Sequence, residues 1–101
     1  MKQRFSDEFA EAVLEVVAGI PAGSVMSYGD VAAAIGSRAP RAVGAVMAAG
    51  GADAPWWRVV RADGRTAQGL AADAPARLHA EGTPLTASGD RVAMRLARYR
   101  P

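Results

Sequence analysis

Between Ser27 and Gly51 the chain carries the punctuation of two short helices set close together, and no other stretch constrains the fold as strongly. Ser27-Tyr28-Gly29-Asp30 has the form of a capping box in which Asp stands in for Glu. Val31, Ala32 and Ile35 then mark the inner face of a helix of about two turns, and Gly36 is its natural stop. Ser37-Arg38-Ala39 makes the turn. Pro40 suits the first position of a second helix, which runs from Arg41 to Ala49 and closes at Gly50-Gly51. Two helices joined this tightly form the helix-turn-helix pattern. The second is built almost wholly from small residues, with Gly44 in its middle, where glycine costs about 1 kcal/mol against alanine. Such a face lets another backbone approach closely. That backbone is either a neighbouring helix or a nucleic-acid sugar-phosphate chain. Arg41 is the helix's only long polar side chain, read as a solvated arginine or as a group that acts.

The second constraint is Pro55-Trp56-Trp57-Arg58-Val59-Val60, which holds both tryptophans of the protein. Pro55 fixes its own φ and pushes Ala54 toward extended backbone. Val59 and Val60 favour a strand. In a strand, adjacent side chains point to opposite faces. The spacing therefore predicts different environments for the two indoles, one in the core and one facing a cleft or partner. Burial of both is the alternative.

The rest of the chain supplies support. Residues 6–18 read as a helix with Ser6 as N-cap, acids in the first turn, and Phe9, Val13, Val16 and Val17 on one buried face. Asp63-Gly64 is a hairpin signal. Residues 66–73 read as a loop. Ala74 to Glu81 is a short helix, with Pro75 near its start and Gly82 past its end. Thr83 to Leu85 and Arg91 to Met94 flank a Gly89-Asp90 turn, and the basic tail is expected to pack through Leu96 and Tyr99. Together these give a small α/β chain, mostly α: a single domain over residues 1–101 with a winged-helix-like helix-turn-helix core and short strands or a hairpin.

Composition excludes several chemistries. The chain has no cysteine and one histidine, His79. Disulfides, thiolate nucleophiles and zinc-type ligand spacings are therefore absent. No phosphate-binding or dinucleotide fingerprint occurs, so no cofactor or metal is expected. There is no apolar run of about 18 residues to span a membrane, nor a signal-type segment, so the cytoplasm is the expected compartment. Net charge is +2 but unevenly placed: residues 1–57 hold four basic and six acidic side chains, residues 58–101 eight arginines and four acids. A basic half fits a nucleic-acid surface. It fits equally an arginine-rich coding bias.

Four pieces, in this order and spacing, resemble one family. They are Ile20-Pro21-Ala22-Gly23-Ser24-Val25-Met26-Ser27-Tyr28-Gly29-Asp30-Val31-Ala32, then Pro40-Arg41-Ala42-Val43-Gly44, then Pro55 to Val60, then Asp63-Gly64. From about Phe5 to Gly82 the chain resembles the DNA-binding domain of the O6-alkylguanine-DNA alkyltransferases. Repair enzymes of that family carry Pro-Cys-His-Arg-Val, with the cysteine as alkyl acceptor. Here Trp56 stands at the cysteine and Trp57 at the histidine. The family's supporting glutamate lies in the helix before a Glu-Gly pair, a position that falls here at about Pro75, which leaves all three members of the relay missing. An indole is no usable nucleophile for the dealkylation. The chain is therefore similar to the alkyltransferase-like proteins, which have tryptophan at the acceptor position and bind alkylated guanine in DNA without repairing it. Most of those have Pro-Trp-His-Arg-Val, so Trp57 is a further departure.

The resemblance implies a non-enzymatic sensor of O6-alkylguanine in double-stranded DNA. Its helix-turn-helix would dock in the minor groove and flip the damaged nucleotide out of the stack. Ala42, Gly44 and Ala45 would permit close approach, Arg41 would fill the gap in the stack, and Tyr28 would press on the phosphate 3′ of the target. Trp56 would line the lesion pocket, and backbone groups near Val59 and Val60 would bond the guanine edge. The loop position where relatives carry a basic side chain over the lesion corresponds to Gln68-Gly69, which is uncharged. Arg65 is the candidate substitute. For Trp57 strand alternation favours a buried structural role. The implied partners are nucleotide excision repair proteins, with the chain itself a monomer. Two rivals stand beside this reading: a winged-helix regulator of undamaged DNA, and a protein-interaction module.

Overall fold

The computed structural model describes residues 7–51, 53–66 and 73–101. The expected cap at Ser6 and the uncharged Gln68-Gly69 pair lie outside them. Helix α1 spans Asp7–Ala18 with Asp7 and Glu8 in its first turn, where the helix dipole favours acids. It buries Val13 and Val17. Strand β1 is Met26–Ser27 and runs directly into α2, Tyr28–Ala34. The capping box forms as read: Ser27 Oγ accepts from the Asp30 amide at 3.0 Å, and Asp30 Oδ2 accepts from the Ser27 amide at 3.1 Å. Gly36 takes a φ of +73°, the left-handed conformation that ends the helix. Helix α3, Pro40–Gly50, starts on proline as expected and buries Val43 and Val46 against α1 and α2.

The Trp-Trp stretch departs from its expected form. Trp56–Arg58 is a turn of 3₁₀ helix, and only Val59–Val60 form a strand, β2. The Arg58 amide donates to the Pro55 carbonyl, and the Val59 amide to that of Trp56. Pro55, at φ −74°, already has the backbone torsion that opens such a turn. The alternation of faces is executed by the next pair along. β1 and β2 pair in parallel, Met26 with Val59 and Ser27 with Val60. Met26 and Val59 face an apolar cluster with Val13, Val17, Ile20, Val31, Val43 and Val46 beneath the first three helices. Val25 and Val60 face a second cluster with Leu78, Val92 and Ala97. The two-stranded sheet is thus the partition between two small cores.

The second core is closed by short pieces. Helix α4, Ala74–Ala80, buries Leu78, and α5, Met94–Ala97, buries Ala97. Single bridges join Val60 to Thr66 and Leu85 to Val92, so hairpins form around Gly64 and Gly89. The tail bridges back to Val25 through Arg98. One expectation there fails. Leu96 is 74% exposed, and the buried tail residues are Ala97 and, in part, Tyr99. Helix α5 is a single turn, and the Ala97 carbonyl must face the Val25 amide at 2.9 Å, which rotates Leu96 outward. No helix among the described residues is long and apolar enough to cross a membrane.

Candidate nucleic-acid interface

Two groups of candidate residues come from adjoining parts of the fold. The first is the helix-turn-helix. Arg41 is exposed in the first turn of α3, a turn without an acid and with no side-chain cap from Ala39. A cation there is disfavoured by the helix dipole, so the fold gains little from it. Ala42, Gly44 and Ala45 are half-buried on the same helix. A Cβ built on Gly44 would meet Tyr28 Cε1 at 4.0 Å, so the glycine lies beside the edge of the tyrosine ring. Tyr28 follows the Ser27 cap and is half-buried. Burial raises its phenol above the ordinary tyrosine range, and the charge of Arg61 works against that rise.

The second group is built on the 3₁₀ turn. The rings of Trp56 and Trp57 meet edge to face, with centroids 5.7 Å apart and planes at 88°. Both are half-buried, but they do different things. Trp57 packs against the second core, and its Nε1–H donates to Glu81 Oε2 at 3.1 Å. Trp56 packs into neither apolar cluster. The two indoles thus differ in environment as expected, but the split is not core against cleft: Trp57, the one on the core, also lines a neighbouring groove, and Trp56 does not. Val59 and Val60 have their side chains in the two cores, which leaves only their backbone to meet a ligand.

Glu81 corrects the sequence reading. The sequence puts the supporting carboxylate's position near Pro75, an exposed residue at the start of α4, whereas a glutamate does stand against the residue at the histidine position. It is Glu81, at the C-terminal end of α4 and within the Glu81-Gly82 pair itself. It also accepts from Arg58 Nε at 3.0 Å, while Arg58 Nη1 donates to the Ile20 carbonyl at 2.9 Å. The Arg58 hydrogen bond holds the Glu81 carboxyl below the usual glutamate range, against the opposing effect of burial. A carboxylate needs only a donor opposite, and the indole N–H supplies one where the family has an imidazole.

Arg65 and Arg77 are both basic side chains that follow the Trp-Trp turn in sequence, and they sit differently. Arg65 is exposed in the hairpin turn and tied to Asp63 at 3.2 Å. Two cations lie over the indoles: Arg77, on α4, has its guanidinium carbon 4.7 Å from the Trp57 ring centre and 5.7 Å from that of Trp56, and Arg58 has its own 5.3 Å from that of Trp57. Sequence reasoning missed Arg77 because nothing in the sequence around it marks it as facing the tryptophans, 20 and 21 residues earlier in the chain. An open groove of about 840 Å³ runs beside this cluster, lined by Leu14, Pro55, Trp57, Arg58 and Arg77 among others, with Trp56 outside it. No cluster of three or more potential metal ligands occurs among the described residues.

The chain matches the family described as 6-O-methylguanine DNA methyltransferase, DNA binding domain, over residues 8–83. It is 41% identical over 105 aligned residues to the DNA base-flipping protein of Escherichia coli (strain K12), a match spanning 98% of this chain and 78% of that protein. It is similar in structure to S. pombe Atl1 in complex with damaged DNA containing O6-carboxymethylguanine, with a TM-score of 0.82 and 27% identity over 96% of this chain and 99% of that one. A point variant of Mycobacterium tuberculosis OGT is similar at a TM-score of 0.64 and 30% identity, over 85% of this chain and 55% of that one.

Proposed function

The chain belongs to the family of the 6-O-methylguanine DNA methyltransferase DNA-binding domain, and from that premise we propose that it is a non-catalytic sensor of O6-alkylguanine in double-stranded DNA. The observation that carries the reading is Trp56. It stands at the acceptor position of a chain without a single cysteine, half-exposed and outside both cores. An indole there cannot accept an alkyl group. It can offer a flat apolar surface to one, at about 0.8 kcal/mol per CH₂ removed from water.

The rest of the site fits that task. A flipped nucleotide costs a few kcal/mol of lost stacking and must be compensated at both ends. Arg41 enters the stack from a helix start that gains little by holding it. Tyr28 contacts the phosphate 3′ of the target, and Ala42, Gly44 and Ala45 admit the narrow groove. Trp56 receives the lesion, with the backbone of Val59 and Val60 at the guanine edge and Arg65 on the neighbouring hairpin. The single domain acts as a cytoplasmic monomer and hands the distorted site to nucleotide excision repair.

The test is equilibrium binding to matched duplexes carrying O6-methylguanine or guanine, at one stated salt concentration. Wild type is expected to prefer the lesion by about tenfold, or about 1.4 kcal/mol. Trp56→Ala brings the two affinities together, and Arg41→Ala weakens both. The protein's mass is unchanged after incubation with the lesion duplex. Equal weak binding to both duplexes by wild type sinks the sensor reading and favours a regulator of undamaged DNA. An absence of binding even at low salt favours a protein-interaction module.

A further inference from the structure

We infer that Arg61 is a phosphate-binding residue that works as a pair with Tyr28 at the edge of the helix-turn-helix. The inference rests on the DNA-binding reading above and adds a residue to it. Its first support is the sheet. β1 and β2 are parallel, with Ser27 opposite Val60. Tyr28, the first residue of α2, and Arg61 each follow directly on their strand, so the chain leaves the sheet twice at the same end, once through each of them. Both follow residues buried in the partition between the cores, so both are anchored at the backbone. The Arg61 amide is also held by the Arg65 carbonyl at 2.8 Å.

Charge supplies the second support. Two acids lie near this edge, and each is already neutralised. Asp30, two residues beyond Tyr28, accepts from Arg98 Nε at 2.8 Å, and Asp63 is paired with Arg65. Arg61 is exposed, and among the described residues no carboxylate lies within ion-pair distance of it. Its field nonetheless reaches the Tyr28 phenol, where it opposes the effect of burial. Arg61 also helps hold the Asp63 carboxyl below the usual aspartate range, after Arg65, but without an ion-pair contact. The edge thus offers one guanidinium with no carboxylate bound to it beside one phenolic donor. A bridging phosphate oxygen would take a charge-assisted hydrogen bond from the first and a neutral one from the second. Phosphate contacts of this kind fix register and carry no sequence information.

The experiment is binding of the O6-methylguanine duplex across a range of monovalent salt, for wild type, Arg61→Ala, Arg61→Lys and Arg95→Ala. Arg61→Ala is expected to lose about tenfold in affinity at low salt. Its plot of log affinity against log salt becomes shallower by about 0.9, the value for one phosphate on duplex DNA. Arg61→Lys keeps the wild-type slope, as does Arg95→Ala, an arginine removed from the tail. On a duplex with a neutral methylphosphonate 3′ of the target, Arg61→Ala and wild type bind alike. An Arg61→Ala slope equal to wild type, in a protein that still prefers the lesion, overturns the inference alone. A wild type that binds neither duplex overturns the DNA-binding reading with it. Loss of lesion preference at unchanged slope would move Arg61 from the phosphate to the base and overturn it as well.

Discussion

Glu81 shows what a single carboxylate does for this site. It takes one hydrogen bond from Trp57 and two from Arg58, and the side chains of Glu81 and Arg58 are each only 16% exposed. Removing one partner from so enclosed a pair leaves a charge without compensation, and Glu81→Ala should cost about 3 kcal/mol in urea unfolding. The pH dependence has a definite sign. The native carboxyl lies below the usual glutamate range because Arg58 favours its charged form. Its contribution is therefore complete above the unfolded value of about 4.3 and is lost as pH falls toward and through the lower native value. Stability curves of wild type should fall steeply over that acid window, and those of Glu81→Gln less steeply. A Glu81→Gln curve parallel to wild type would show that the ion pair contributes nothing. The sequence hides this residue for a local reason. Counting back from the Glu-Gly pair leads to Pro75, whereas the acid of the pair itself caps the helix that faces Trp57. Trp56 is legible by contrast, since its place beside Pro55 and Arg58 is fixed by chain order alone.

At the scale of elements, punctuation is easier to read than geometry. The capping box, the left-handed Gly36 and the proline start of α3 are local devices, and each appears where the residues place it. The 3₁₀ turn at Trp56–Arg58 is not legible, because β-branched residues signal a strand without saying where it begins. Helix α3 offers a way to separate stability from function. A methyl group added at Gly44 meets only Tyr28 Cε1, at an ordinary 4.0 Å, and the φ of Gly44 is helical. Gly44→Ala should therefore stabilise the fold by about 0.5–1 kcal/mol through helix propensity. In the proposed docking the same methyl occupies space that a sugar-phosphate chain needs, so DNA affinity should fall. Thermal melting and duplex binding on one preparation check both halves. A variant that is more stable and binds as well as wild type would show that the small-residue face serves helix packing only.

At the scale of the whole molecule, the tail is joined by a single parallel bridge to Val25, the residue before β1. The Val25 amide donates to the Ala97 carbonyl at 2.9 Å, and the Tyr99 amide to the Val25 carbonyl at 2.8 Å. Tyr99 packs on the helical core while Ala97 lies in the other, so these few residues join both sides of the partition. Arg98, between them, reaches Asp30 Oδ2 at 2.8 Å and thereby ties the tail to the capping box of the helix that carries Tyr28. Asp30 is held below the usual aspartate range chiefly by that bond. Its stabilising effect is present above the unfolded aspartate value of about 3.9 and is lost as pH falls through the native one. Arg98→Ala should therefore lower the melting temperature by a few degrees at neutral pH, with the difference from wild type shrinking once Asp30 is protonated in both. If the tail and the helix-turn-helix move as one body, amide exchange should accelerate together at Val25, Asp30 and Tyr99 in that variant. Faster exchange at Tyr99 alone would mean that the tail frays independently. The orientation of Tyr28, and with it the proposed phosphate contact, would then depend on the cap and not on the tail.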